Sequence, residues 1–178
     1  PFDETAVDLL ETICCPIYKI ASFEMTDIPL IKKIAQTRKP IIMSTGMANL
    51  KEIEYSFYSA KKNGAKDITI LYCVSKYPCK NTDFNLNNIK ILKDRFKCRV
   101  GLSDHSKDIN ITRAAIAAGA EVLEKHIALK NQRIGLDIEF SLKGDEIKKF
   151  KTAADETYSM LGKNYFFRSS SENKNKKY

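Results

Sequence analysis

The sequence predicts an α/β protein whose parallel strands form part of a (β/α)8 barrel, the TIM-barrel fold. Short apolar stretches typical of strands alternate with longer stretches in which apolar residues recur at helical spacing. Strands that are apolar along their whole length are typical of a parallel sheet covered by helices. Polar side chains follow each predicted strand at its carboxyl end. Together these observations favour a barrel with a site at one end.

The first half of the chain holds three predicted helices and three predicted strands. Helical spacing of apolar residues marks the helices, at residues 4–13, 28–37 and 50–63. Short apolar runs mark the strands, at residues 17–21, 40–43 and 68–73. Thr26 or Asp27 is suited to cap the second helix, and Pro29 fits its first turn. Gly64 is a typical end for the third helix.

The second half continues the alternation. Helices are predicted at residues 86–96, 109–118 and 145–161, and strands at residues 100–102 and 122–126. Gly119 and Gly162 follow the last two helices and mark where they end.

The polar residues at the strand ends distinguish two kinds of parallel sheet. An open, doubly wound sheet concentrates its ligand groups at one switch point, whereas a barrel gathers them from all its strand ends. Five consecutive strand ends carry such residues: Lys19, Ser22 and Glu24; Ser44 and Thr45; Ser75 and Tyr77; Ser103, Asp104 and His105; Lys125 and His126. This distribution favours the barrel.

Composition is that of one soluble domain. The 178 residues are 43% hydrophobic and 29% charged, which is enough chain for a substantial core. No apolar run approaches the roughly 20 residues of a membrane span, and no signal-peptide pattern opens the chain. The five cysteines form an odd set without CxxC spacing and are expected to be reduced thiols. We therefore expect a cytoplasmic protein that does not bind membranes.

The net charge of +8 leaves small anionic molecules open as ligands. Much of the excess lies in residues 143–151 and 169–178, where a solvated surface is the simpler interpretation. No basic stripe interleaved with aromatic residues occurs, so nucleic acid is not an expected partner.

The two histidines of the chain, His105 and His126, each stand just past a predicted strand. Two neutral imidazoles at the same end of adjacent strands are suitable ligands for a divalent metal ion. The alternative is a pair of buried, hydrogen-bonded histidines with nothing bound. The matched strand-end positions and the carboxylates beside them favour the metal.

At these residues the chain resembles the sialic acid synthase family, the phosphoenolpyruvate-dependent synthases of N-acetylneuraminic, legionaminic and pseudaminic acids. The resemblance runs nearly end to end, through residues 1–3, 18–24 (YKIASFE), 42–47 (IMSTGM), 74–78 (VSKYP), 101–105 (GLSDH), 124–126 (EKH) and 137–141. The Ser-Phe-Glu form and the Pro-Phe-Asp-Glu-Thr opening look closest to the pseudaminic acid branch.

The resemblance implies that the chain is a fragment. Residues 1–164 correspond to barrel strands four to eight, and residues 165–178 to a basic linker leading toward an absent antifreeze-like domain. Family members have three further strands before this point and are expected to be homodimers at full length. Two hypotheses follow: a phosphoenolpyruvate-dependent C–C bond-forming transferase, or a non-catalytic half of a split barrel. The isolated fragment is expected to be inactive.

The resemblance also implies a role for each strand-end residue in joining phosphoenolpyruvate to an open-chain N-acylated amino sugar. His105 and His126 would bind Mn²⁺ or Mg²⁺, with Asp104 holding a ligand histidine. Glu24 and Asp137 would transfer protons and position the sugar or water. Phosphoenolpyruvate would be bound by Lys19, Ser22, Ser44, Ser75 and Ser103, and the sugar would be packed by Phe2 and Tyr77.

Simpler interpretations stay open for several of these residues. Each serine alone is a common loop or cap residue, and Ser75 stands where some relatives have asparagine. Glu24 could be a helix-start residue, Asp137 a solvated loop residue, and Asp104 the centre of an Asx turn.

Overall fold

Strands and helices alternate along the chain in the computed structural model, which describes residues 1–77, 79–162 and 166–176. The α-helices are Glu4–Thr12 (α1), Ile28–Gln36 (α2), Leu50–Lys62 (α3), Asn87–Phe96 (α4), Ile109–Ala117 (α5), Asp145–Leu161 (α6) and Ser170–Asn175 (α7). The strands are Tyr18–Ile20 (β1), Ile41–Ser44 (β2), Ile68–Cys73 (β3), Arg99–Asp104 (β4), Val122–Lys125 (β5), Ile127–Ala128 (β6) and Leu142–Lys143 (β7). The predicted alternation is confirmed.

The first five strands form one parallel sheet in sequential order, β1-β2-β3-β4-β5. Parallel neighbours joined through helices are the repeating unit of a (β/α)8 barrel. The sheet curls into a partial barrel, which brings Lys19 of β1 within 3.7 Å of Glu124 on β5, the opposite edge strand. This confirms the predicted fold class.

The hydrophobic core lies between the outer face of the sheet and the helices. Strand residues that point outward are fully buried there, among them Tyr18, Ile20, Met43, Ile70 and Leu102. Because successive strand side chains alternate between faces, the residues between them point to the inner, concave face. The inner face is therefore free to carry polar groups.

Side-chain caps fix where α2 and α3 begin. Asp27 accepts a hydrogen bond from the Leu30 backbone at α2, which decides between the two predicted caps. At α3, Asn49 and Glu52 form a reciprocal capping box. These caps fix the loops that carry Ser22 to Glu24 and Ser44 to Met47 above the sheet.

Beyond the predicted elements, β6 and β7 form a small two-stranded parallel sheet after the barrel strands. A short 3-10 helix, Ile138–Phe140, lies between them. Helix α7 falls in the segment assigned to a basic linker. The predicted domain boundary at residues 164 and 165 lies outside the described residues, as does Pro78 of the matched motif. No helix of the described residues is both long enough and apolar enough to cross a membrane.

Candidate active site

The inner face of β4 and β5 ends in the two histidines. Leu102 and Leu123 pack outward toward the helices, so the residues that follow them point inward. Ser103 pairs in register with Glu124 on the neighbouring strand. His105 and His126 continue the same face two residues further along each strand. Sequence alternation and register therefore place both imidazoles at one end of the sheet.

Lys19 reaches these groups from β1. Its Nζ donates hydrogen bonds to Ser44 Oγ at 2.7 Å and to the Ile20 carbonyl at 3.1 Å. The same nitrogen lies 3.7 Å from Oε1 of Glu124. That carboxylate oxygen also accepts a 2.7 Å hydrogen bond from Ser103 Oγ. One network thus joins side chains from four of the five strands.

Two opposing influences set the charge of Lys19. Burial is the larger, and it lowers the pKa of the ammonium group below its ordinary value. The Glu124 carboxylate opposes this effect by favouring the protonated form, and Glu24 acts in the same direction. Glu124 therefore helps to keep a cation in a half-buried position, where it can attract an anionic ligand.

Ser22 and Ser75 approach each other over Gly46. A Cβ atom at Gly46 would lie 2.6 Å from Ser22 Oγ and closer still to Ser75 Oγ. Only glycine leaves room for both hydroxyls here. Ser75 Oγ is buried without a well-formed hydrogen bond to any described residue, with the Tyr77 hydroxyl as a neighbour. This cradle offers hydroxyl donors beside the Lys19 network.

The histidines lie in a small aromatic cluster. The ring centroids of His105 and His126 are 5.3 Å apart, and Phe140 packs edge-on against both. The ring centroid of Tyr77 lies 4.5 Å from that of His105, with the two ring planes tilted by 55°. His105 is buried, whereas His126 is about half exposed. Tyr77 and Phe140 together wall one side of the imidazole pair.

The imidazole pair suits a loosely held divalent ion. Burial lowers the pKa of His105, and the neighbouring His126 lowers it further, so the neutral, ligating form is favoured. No group of three or more His, Cys, Asp or Glu side chains suited to a metal ion occurs in the described part of the chain. Two imidazoles fit an ion whose remaining ligands are substrate oxygens and water.

The two carboxylates predicted to act in catalysis have different environments. Glu24 has a buried Oε2 with no hydrogen-bond partner among the described residues, and an unsatisfied buried oxygen of this kind calls for a ligand or a proton. Asp137 is exposed, and its Oδ2 lies 3.9 Å from Nδ1 of His126. Both carboxylates thus remain available to a substrate.

Asp104 does not hold a histidine, contrary to expectation. Its Oδ1 accepts a hydrogen bond from the Ser106 backbone at 2.7 Å, which is the Asx turn of the simpler interpretation. Its Oδ2 forms a buried ion pair with Lys125 at 3.0 Å. Asp104 and Lys125 point away from Ser103 and Glu124 because strand side chains alternate. They lie behind the site.

Phe2 is the predicted site residue that lies apart from the others, since it is 76% exposed beside α1.

Sequence reasoning missed roles for Glu124, Phe140 and Gly46. Glu124 has the same strand spacing from His126 as Ser103 has from His105, a signal that could have identified it. Phe140 and Gly46 carry no such periodic signal.

The sequence is similar to those of known synthases. The chain is 45% identical over 177 residues to the N,N'-diacetyllegionaminic acid synthase of Campylobacter jejuni, covering 98% of this chain and 53% of that protein. It is 39% identical over 162 residues to the pseudaminic acid synthase of Helicobacter pylori, covering 91% and 48%. The chain thus spans about half the length of these relatives.

A solved structure and a family profile give the same result. The N-acetylneuraminic acid (sialic acid) synthetase from Leptospira borgpetersenii, solved in complex with citrate, matches with a TM-score of 0.91 and 35% identity. The match covers 99% of this chain and 62% of that one. The profile of the NeuB family matches residues 1–165, which include every strand of the curled sheet and all the residues of the site. By this match, and by the synthases that share its sequence and fold, the chain belongs to the NeuB family.

Proposed function

We propose that this chain provides most of the active site of a nonulosonic acid synthase, which condenses phosphoenolpyruvate with an open-chain N-acylated amino sugar and releases phosphate. The observation that carries this proposal is the network of Lys19, Ser44, Ser103 and Glu124 below the paired imidazoles. It combines a cation, hydroxyl donors and a carboxylate on one concave face. Relatives named as legionaminic and pseudaminic acid synthases support the same reaction.

The reaction forms one C–C bond and breaks one C–O bond. C3 of phosphoenolpyruvate attacks the aldehyde carbon, and the aldehyde oxygen becomes a hydroxyl group by taking up a proton. Water adds to C2 and loses a proton to a base. The bond between C2 and the bridging oxygen then breaks, and phosphate leaves with that oxygen. The new hydroxyl on C2 gives up its proton to the leaving phosphate, and C2 becomes a ketone.

The anionic substrate would bind at the Lys19 network and the serine cradle. The Lys19 ammonium supplies charge, and the hydroxyls of Ser22, Ser44 and Ser75 supply directed donors for phosphate or carboxylate oxygens. On binding, the ligand would take over hydrogen bonds that Lys19 and Ser103 now make within the protein. The site is thereby ordered before the substrate arrives.

Proton transfer would fall to the free carboxylates. Glu24 has an unpartnered buried oxygen close enough to Lys19 to influence its charge, which suits a base acting on water. Asp137, beside His126, would orient the sugar. Mn²⁺ or Mg²⁺ held by His105 and His126 would supply Lewis-acid polarisation of the aldehyde oxygen.

The sugar would enter along the aromatic wall. Tyr77 and Phe140 offer ring surfaces beside the imidazoles, at the end of the sheet where the aldehyde must lie.

The higher identity to the legionaminic relative, 45% against 39%, does not favour the pseudaminic branch. We place the enzyme in the cytoplasm, where free thiols such as its cysteines remain reduced.

Mass spectrometry of the product tests this function. The chain, mixed with the amino-terminal half of the C. jejuni relative, is incubated with phosphoenolpyruvate and either N-acetylmannosamine or the pseudaminate precursor sugar. The product should equal in mass both substrates plus water minus phosphoric acid. Formation of pyruvate with the sugar unchanged would contradict a synthase.

A second candidate is a structural half of a split barrel, which the two open sheet edges favour. In the described residues, β1 and β5 each pair with a strand on one side only, and unpaired edges favour association with further strands. We expect the 178-residue chain alone to give no turnover. Mixing it with the amino-terminal half of the C. jejuni relative should restore turnover, whereas turnover by the chain alone would exclude this candidate.

A further inference from the structure

A second cavity, of about 320 Å³, lies behind the candidate active site. It opens on the helix-facing side of β4 and β5, between α5 and α6, and its lining includes Asp104, Thr112, Arg113, Lys125, Lys149 and Phe150. Asp104 and Lys125 directly precede the two histidines, but their side chains point to the opposite face. The cavity therefore backs onto the candidate active site without belonging to it.

The deep part of the cavity holds hydrogen-bond donors with unused capacity. Thr112 is fully buried, and its hydroxyl has no hydrogen-bond partner among the described residues. The Lys125 side chain is only 6% exposed. Its ammonium donates to Asp104 and to the Ser106 carbonyl, which leaves one of its three N–H groups unused. Buried donors without acceptors are costly unless a ligand or water supplies them.

The carboxylates of the lining are already occupied. Asp104 is paired with Lys125, Asp108 accepts from the Asn110 backbone and from Asn81, and Glu146 accepts from the Lys143 backbone. These three residues supply the negative charge of the lining. The Asp104 charge is neutralised by Lys125, whereas Asp108 and Glu146 keep their negative charges, which the cations of the rim offset.

Two cations at the rim have no carboxylate partner among the described residues. Arg113 and Lys149 line the cavity and form no ion pair in the described part of the chain. Lys107 is paired with Glu139, outside the lining. Apolar groups, such as the Phe150 ring and Leu142, complete the wall. The lining thus offers donors and positive charge beside an apolar surface.

We propose that this cavity is a binding site for a small oxyanion, a phosphate or carboxylate group attached to a compact apolar body. The Thr112 hydroxyl and the spare N–H of Lys125 contact the anion, and Arg113 and Lys149 contribute charge from the rim. A volume of about 320 Å³ is at the lower end for small-molecule sites. The inference does not depend on the reaction proposed above.

Amide NMR titration of the protein tests this site. Inorganic phosphate and butyrate, added separately at constant ionic strength, distinguish the two anion sources. A Lys19→Met background removes anion binding at the strand-end network. At least one anion should cause saturable shifts in residues 107–113 and 149–153. Thr112→Val, which keeps the shape of the side chain, should weaken the affinity about ten-fold, as expected for loss of a hydrogen bond to a charged group.

Two further variants separate the cavity from general surface charge. Arg113→Gln should weaken the same binding, whereas Lys148→Gln removes an exposed lysine of α6 that is not part of the lining and should leave it unchanged. Lys125 is left intact because its removal would strand the buried Asp104 charge. Shifts that fail to saturate with either anion, or that are equal in Arg113→Gln and Lys148→Gln, would overturn the proposal.

Discussion

Lys19 Nζ lies 3.7 Å from Oε1 of Glu124, although their strands are the two edges of the five-stranded sheet. In a flat sheet, four spacings of about 4.8 Å would separate those strands by about 19 Å. The two side chains can meet because the sheet curls into a barrel segment. Curvature, rather than sequence proximity, therefore creates the candidate active site.

The charge on Glu124 should set the alkaline limit of activity. Burial lowers the pKa of Lys19 and Glu124 raises it, so Glu124→Gln removes the opposing influence and lowers the pKa further. Lys19 then loses its proton at a lower pH, so the alkaline limb of the activity profile should shift to lower pH. Phosphate release by the chain mixed with the amino-terminal half of the C. jejuni relative, measured against pH, checks this. Glu121→Gln, which removes a carboxylate paired with Lys93 outside the site, serves as the control. An unmoved alkaline limb in Glu124→Gln would contradict the coupling.

Lys19→Met should weaken use of phosphoenolpyruvate more than use of the sugar. Loss of a charged hydrogen-bond donor should lower kcat/KM for phosphoenolpyruvate about 10- to 100-fold. Lys39→Met removes an ion pair with Glu11 elsewhere in the fold and should leave these constants near the wild-type values. Unchanged KM and kcat for phosphoenolpyruvate in Lys19→Met would remove Lys19 from the site.

Gly46→Ala should impair binding of phosphoenolpyruvate because the new methyl group displaces the hydroxyls of Ser22 and Ser75. Overpacking of this kind costs about 1–3 kcal/mol. The contrasting variant is Gly119→Ala, where a Cβ meets nothing within 4 Å but the backbone φ of +103° is unfavourable for alanine. Gly119→Ala should lower the melting temperature and spare binding by the folded protein. Equal phosphoenolpyruvate affinity in the two variants would argue against the cradle.

The imidazole pair should bind Mn²⁺ weakly in the absence of substrate and more tightly in its presence. Electron paramagnetic resonance of free Mn²⁺ measures this directly. His126→Ala should abolish the binding, and chelator-treated enzyme should regain activity with Mn²⁺ only when both histidines are present. Full activity after chelation, with no loss of free Mn²⁺ signal on adding protein, would exclude the ligand role.

Much of the fold could be predicted because apolar periodicity is a local property. The five strands of the curled sheet and the helices between them follow from patterns within single segments. The two-residue strands β6 and β7 could not be found in this way. They are too short to show alternation, and each depends on a partner elsewhere in the chain.

The candidate site was only partly predictable for a related reason. The histidines, Lys19 and the serines stand at strand ends, which sequence identifies. The role of Glu124 depends on the curl of the sheet, and that of Phe140 on a loop returning over the imidazoles. Asp104 was expected either to hold a histidine or to form an Asx turn, and its ion pair with Lys125 was not predicted because it depends on the pairing of β4 with β5.

The fate of the bridging oxygen of phosphoenolpyruvate tests the central claim most directly. The chain, combined with the segment that supplies the remaining barrel strands, is given phosphoenolpyruvate labelled with oxygen-18 at that position. We predict that phosphate is released only when the amino sugar is present, and that it carries the label, because the C2–O bond breaks. Release of unlabelled phosphate, or release without the sugar, would contradict a nonulosonic acid synthase.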